Sequence, residues 1–166
     1  MRLLFSFLLL ILANNTVAAD MADTPTGRVI LTVSGAINTK LNATFDLAML
    51  DALPQYTITT HTPWTQGLHT YRGFSAVDLL DHLGSTGTLL QITALNQYMT
   101  EVPLSDFLDN GAIFATRQDG REISVRNLGP IMVIYPFDER EELKSERIYG
   151  RSIWQVSHIK SIVLTE

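Results

Sequence analysis

The chain has 166 residues, 46% hydrophobic and 17% charged, which is enough apolar material for one globular core and too much for a disordered segment. Its 12 Lys and Arg against 17 Asp and Glu leave a net charge of −5, which argues against nucleic acid or an anionic membrane surface as the main partner. The absence of cysteine excludes disulfide scaffolds, thiol nucleophiles, CxxC redox pairs, Fe–S clusters and thiolate metal sites.

Residues 1–19 have the make-up of a secretory leader: a basic start at Arg2, an apolar run from Leu3 to Leu12, and small residues ending in Val17-Ala18-Ala19. As a helix that run spans about 15 Å, roughly half a bilayer core, so cleavage after Ala19 is expected rather than a permanent anchor. Removing it takes away one positive charge, and no later apolar run approaches the length of a membrane span. The mature protein is therefore expected to be soluble and periplasmic or secreted, without stable membrane insertion. Asp20 to Thr26 is polar and contains Pro25, which predicts a flexible lead over 20–26 before a domain over 27–166.

Arg28 to Val33 alternates with β-branched residues up to Ser34-Gly35 and predicts a strand and turn. Phe45, Leu47, Met49, Leu50 and Leu53, with Asp46 as cap, predict a short helix stopping before Pro54. Strands follow over Tyr56–Thr60 and Leu68–Phe74. Ser75 then caps a helix that buries Val77, Leu79, Leu80 and Leu83 and ends at Gly84. Leu89–Ala94 and Tyr98–Val102 form a strand pair about Asn96-Gln97, and Pro103 opens a helical turn through Phe107. Asp119-Gly120 between Ala112–Thr116 and Glu122–Val125 is the strongest short-range hairpin signal in the chain. The continuous apolar run Ile131–Tyr135 predicts a central strand buried on both faces. Asp138–Lys144 predicts an exposed charged helix, and Ile153–Leu164 the last strand or strands. Strands outnumber short helices without regular β-α alternation, so the expected class is α+β with a mixed, largely antiparallel sheet.

Three blocks carry a family resemblance. Tyr71-Arg72-Gly73-Phe74-Ser75-Ala76-Val77-Asp78-Leu79-Leu80 resembles the aromatic-x-Gly-hydrophobic segment, closed by Leu-Leu, of the oxidoreductase molybdopterin-binding domain, the sulfite-oxidase-type fold. Arg117-Gln118-Asp119-Gly120 through Gly129-Pro130-Ile131-Met132-Val133-Ile134-Tyr135-Pro136 is similar to that family's Asp-Gly hairpin followed by Gly-x-Pro-hydrophobic-Pro. Gly150-Arg151-Ser152-Ile153-Trp154 through Ile162 is similar to its closing segment. The resemblance implies this fold, a cleft, and molybdopterin as a possible cofactor. In the family's enzymes a cysteine thiolate binds molybdenum. Counting back from Tyr71, that position falls near Thr60-His61-Thr62, where a hydroxyl or imidazole is a much poorer ligand for a soft metal–dithiolene centre.

His61 and Trp64 flank Pro63 just after a strand, where an imidazole and an indole either hydrogen-bond and stack on a planar ligand or simply pack the loop. Arg117, Arg126 and Arg151 lie in the matched blocks; their guanidinium forks suit phosphate or carboxylate, or else pair with the many acids. Ser152 adds a hydroxyl beside Arg151. His61, His69, His82 and His158 are too scattered for a zinc helix, so no metal ligands are assigned. There is no Gly-x-Ser-x-Gly elbow, and Gly84-Ser85-Thr86-Gly87 lacks the Lys of a phosphate loop. Two functions stay open: an exported non-catalytic or degenerate module that binds an anionic planar small molecule and serves an envelope protein partner, or a molybdopterin-dependent oxidoreductase that manages without the cysteine.

Overall fold

A computed structural model describes residues 24–39 and 41–164, so the expected leader and most of the expected lead lie outside the described residues. Chain order is β1 (Leu31–Gly35), β2 (Ala43–Phe45), α1 (Leu47–Ala52), β3 (Gln55–Thr60), β4 (His69–Phe74), α2 (Ala76–His82), β5 (Leu89–Ala94), β6 (Met99–Pro103), α3 (Ser105–Leu108), β7 (Ile113–Gln118), β8 (Arg121–Glu122), β9 (Met132–Ile134), α4 (Glu146–Arg151) and β10 (Val156–Ile162). The strands build two sheets, one ordered β2-β1-β10-β5-β6 and one ordered β3-β4-β7-β8, with β9 also paired to β7. Every pairing is antiparallel except β1 with β10. This is the α+β, largely antiparallel class that the pattern of short strands predicts.

The local chemistry of the elements is visible in the caps and turns. The Asp46 carboxylate accepts the Met49 N–H at 2.9 Å and starts α1. It also accepts the N–H groups of Thr26 and Gly27, so the end of the lead is tied down. Ser75 accepts the Val77 N–H at 3.1 Å and starts α2. Asp119 and Gly120 sit at φ 51° and 76°, the left-handed pair of a two-residue turn whose twist matches its strands. Gly73 is required by close approach: a Cβ there would overlap the Phe114 carbonyl oxygen across the β4–β7 ladder, where the register shifts.

Two expectations are corrected. Ile131–Tyr135 is buried throughout, but β9 pairs with β7 alone and is not central. Its other edge is closed by the segment that leads into β10, with the Val133 N–H donating to the Ile153 carbonyl at 2.8 Å and the Val156 N–H to the Ile131 carbonyl at 3.0 Å. Burial on both faces comes from the two cores: Ile131, Val133 and Tyr135 enter the larger and Met132 and Ile134 the smaller. Asp138–Lys144 forms a turn and one 3-10 turn (Glu141–Leu143) instead of an α-helix, and Leu143 is buried in the core rather than exposed.

Buried apolar residues form two clusters. The larger packs the β2-β1-β10-β5-β6 sheet against α1, α2, Phe114, Tyr135 and Phe137. The smaller gathers Ile58, Tyr71, Ile113, Ala115, Ile123, Met132 and Ile134 on the other side of the second sheet. Trp64 lies against the first and Trp154 against the second. Their contact marks the seam between the cores.

Candidate functional site

Three irregular segments meet at that seam: the β3–β4 loop (61–68), the β5–β6 tip (95–98) and the stretch between α4 and β10 (152–155). The first is built on Thr62, whose Oγ1 lies 2.7 Å from that of Thr65 and accepts the N–H groups of Thr65 at 3.2 Å and Trp64 at 3.4 Å. Thr65 Oγ1 in turn reaches the Tyr71 hydroxyl at 3.1 Å. Gln155, at φ 54°, joins the other segments: its N–H donates to the Leu128 carbonyl, its side-chain amide to the Val125 carbonyl, and its own carbonyl accepts the Leu95 N–H, each at 2.9 Å. Leu128 is also left-handed, at φ 71°. Such backbone costs of order 1–3 kcal/mol per residue and persists where its surroundings over-determine it, as these hydrogen bonds do.

Trp64 stands half-buried in the middle. Its ring centroid is 5.7 Å from that of Trp154 and 6.1 Å from those of Phe137 and Tyr149, with edge-on or tilted planes. On one side lies a cleft of about 390 Å³ walled by Trp64, Tyr98, Tyr149, Ser152 and Trp154, with Asn96 at its mouth. On the other lies a more open, polar cleft of about 670 Å³ with His69, Asp119, Arg121, Glu122 and Arg126 among its walls. Among the described residues, neither indole N–H and neither the Tyr98 nor the Tyr149 hydroxyl has a protein hydrogen-bond partner in this region.

The structure divides the predicted site residues. Trp64, Arg126 and Ser152 line the two clefts. Ser152 is buried and its hydroxyl donates to the Ile148 carbonyl at 2.8 Å, so it offers shape rather than a free donor. His61 lines neither cleft. It is 60% exposed and leans on Asp138, with the His61 N–H at 2.8 Å and Nδ1 at 2.7 Å from the same carboxylate oxygen. Those contacts, the backbone N–H first, hold the Asp138 carboxyl below its usual range.

The other two arginines are engaged by carboxylates of the protein itself. Arg117 forms a fork with Asp51 at 2.6 and 2.7 Å. Arg151 donates to both oxygens of buried Asp106 at 3.2 and 3.1 Å, and the same carboxylate accepts the Tyr135 hydroxyl at 2.7 Å. Burial, then the hydrogen bond to Asp106, drives the Tyr135 phenol far above its ordinary value. Both guanidinium groups are thus held by partners 66 and 45 residues away in sequence. Reading the sequence alone also passes over Tyr98, Arg121, Tyr149 and Trp154. Trp154 carries a signal in hindsight, as one of only two tryptophans, set in a matched block.

No family model matches the chain, and no curated protein matches it by sequence. Among solved structures its fold is similar to that of the sulfane dehydrogenase SoxCD from Paracoccus pantotrophus, with a TM-score of 0.59 and 14% sequence identity over 79% of this chain and 37% of that one. The likeness is one of fold, to a protein of the sulfite-oxidase family, and the chain spans little more than a third of that structure's length.

Proposed function

We propose that the protein is an exported, non-catalytic binding module on a sulfite-oxidase-type fold, and that its Trp64 clefts take a planar aromatic ring carrying negative charge, such as a pterin phosphate. The observation that carries this reading is the position of Trp64, a half-buried indole shared by an aromatic cleft and an arginine-bearing one. A ring inserted beside Trp64, Tyr149 and Trp154 removes apolar surface from water and stacks. Arg126 and Arg121, which pair with no carboxylate among the described residues, stand where an attached anion would lie. Export rests on residues 1–19, and intact mass of the exported protein checks it: a chain beginning at Asp20 agrees, and one retaining Met1 disagrees.

A complete molybdenum–pterin centre does not fit the residues present. Around Thr60-His61-Thr62 the donors are two hydroxyls and an imidazole, and they are already used: Thr60 Oγ1 accepts the Asp138 N–H, Thr62 Oγ1 binds Thr65, and His61 Nδ1 faces Asp138. No thiolate is available to a soft metal. The oxidoreductase reading rests on the fold likeness alone. Elemental analysis of protein from its native compartment separates the two: well under one molybdenum per chain supports the binding module, and close to one restores the enzyme.

Because both tryptophans of the chain lie at this site, their fluorescence reports on it. Titration with hydroxymethylpterin and its diphosphate should give saturable quenching by both, stronger for the diphosphate. Trp64→Ala should abolish the saturable component. Arg126→Ala should remove about fivefold of the preference for the diphosphate, as expected for one exposed charge contact of about 1 kcal/mol. Quenching that never saturates, or that survives unchanged in Trp64→Ala, overturns the proposal.

A further inference from the structure

The polar cleft contains a histidine in an unusual position. His69 Nδ1 lies 2.7 Å from Asp119 Oδ2 and its Nε2 lies 2.8 Å from the Gln66 carbonyl oxygen. A carbonyl oxygen can only accept. The Asp119 carboxyl is held below its usual range by the Thr70 N–H and then by His69 itself, so it too is an acceptor. Both ring nitrogens therefore face acceptors, and only the doubly protonated imidazolium can donate to both. A neutral ring leaves a lone pair aimed at one of them.

The surroundings make that proton count. The charged walls of the cleft are Arg121 and Arg126 against Asp119 and Glu122, which balance, so the state of His69 sets the sign of the cleft. The remaining neighbours are accounted for. Arg117 is taken by Asp51 and lies 4.0 Å from Glu122. Arg72 is the exposed residue of β4 opposite Arg117, and Thr60, opposite His69 on β3, is uncharged. His61 and Asp138 pair with each other at the far end of the loop, and the Tyr71 ring meets the imidazole edge-on at 6.2 Å. Gln66 and Trp64 belong to the same loop, which turns at Gly67 with φ 83°.

We propose that His69 is a proton-operated latch for anion binding: taking up a proton from water closes the Gln66 contact, gives the cleft a net positive charge and strengthens its hold on an anionic ligand. This rests on the reading of the Trp64 clefts as a ligand site. By linkage, binding of the anion is coupled to proton uptake at His69.

The probes are naphthalene sulfonate, whose charge stays fixed, and naphthalene sulfonamide, the same ring without charge. Between about pH 8 and about pH 5.5 the sulfonate affinity should rise about three- to tenfold, the size expected for one added charge several ångströms away near a protein surface, while the sulfonamide affinity stays flat. His69→Gln should flatten the sulfonate profile while keeping ring binding. Calorimetry of the wild type in buffers of different ionisation enthalpy should show proton uptake with the sulfonate only. In the free wild-type protein, which needs no variant, the Gln66 carbonyl carbon resonance should follow the titration of His69. A flat sulfonate profile with intact sulfonamide binding refutes the latch and leaves the ligand site standing. Binding of neither probe refutes both. The same pH profile in His69→Gln, or a Gln66 carbonyl indifferent to His69, refutes the latch.

Discussion

Replacing Arg151 by Ala should damage folding rather than ligand recognition, and the size of the effect follows from what the guanidinium touches. Asp106 has only 4% of its side chain exposed, and its carboxylate is shared by Arg151 at 3.1 and 3.2 Å, the Tyr135 hydroxyl at 2.7 Å and the Asn110 amide at 3.3 Å. Removing the cation leaves a buried anion with two neutral donors. Breaking a buried pair from one side costs about 3–5 kcal/mol, and the surviving donors together with the 20% exposure of Arg151 place this case near the lower end, at about 3 kcal/mol. For a domain of this length that lowers the melting temperature by about 6–12 °C. Urea denaturation followed by tryptophan fluorescence and by circular dichroism measures it, with an unchanged slope showing that the two-state transition is preserved. The double variant Asp106→Leu/Arg151→Met should lose less than the sum of its single changes, since neither charge is left alone. The reasoning fails if Arg151→Ala costs under about 1 kcal/mol and yet abolishes binding of hydroxymethylpterin diphosphate, for then the guanidinium serves the ligand.

Gly73→Ala should destabilise the protein by about 1–3 kcal/mol or prevent folding, because the new methyl group meets backbone at the Phe114 carbonyl; a denaturation midpoint equal to wild type would disprove that close approach. Arg117→Ala should lower the urea midpoint through loss of the Asp51 fork while leaving the affinity for hydroxymethylpterin diphosphate within twofold of wild type, about 0.4 kcal/mol, and a tenfold loss of affinity would return Arg117 to the site. The carboxyls of Asp46, Asp119 and Asp138 are held below their ordinary value chiefly by backbone N–H donors, so the stability they contribute is complete above the ordinary carboxylate range and is lost as pH falls below it. Denaturation midpoints should fall steeply below about pH 4, and Asp46→Asn should flatten that descent; a midpoint that rises on acidification would reverse the sign and contradict the assignment.

How much of this was legible in the sequence depends on whether the deciding contact is local. Asp46 and Ser75 cap helices within three residues of themselves, and Asp119-Gly120 closes a turn between adjacent strands, so residue type alone announces them. Gly73 also stands out by residue type, because the close approach across the β4–β7 ladder admits no side chain there. β2 is only three residues long and has no pattern to read. β9 reads as a central strand because burial on both faces is what the apolar run encodes, whereas the identity of the chain along its other edge is set by Ile153 and Val156, some twenty residues away. The same distance problem governs the site. Three arginines look alike in sequence, and only the positions of Asp51 and Asp106 decide that two of them are bound within the protein while Arg126 faces a cleft.

Amide and side-chain chemical-shift mapping with hydroxymethylpterin diphosphate tests the central claim most directly, because it locates the ligand without presuming its grip. The account predicts shifts concentrated on the Trp64 and Trp154 indole N–H groups, Gln66, Tyr149 and Arg126, with the Arg117 and Arg151 guanidinium resonances unmoved. Shifts centred on Arg117 and Asp51, or on Arg151 and Asp106, or none at saturating ligand, would contradict it.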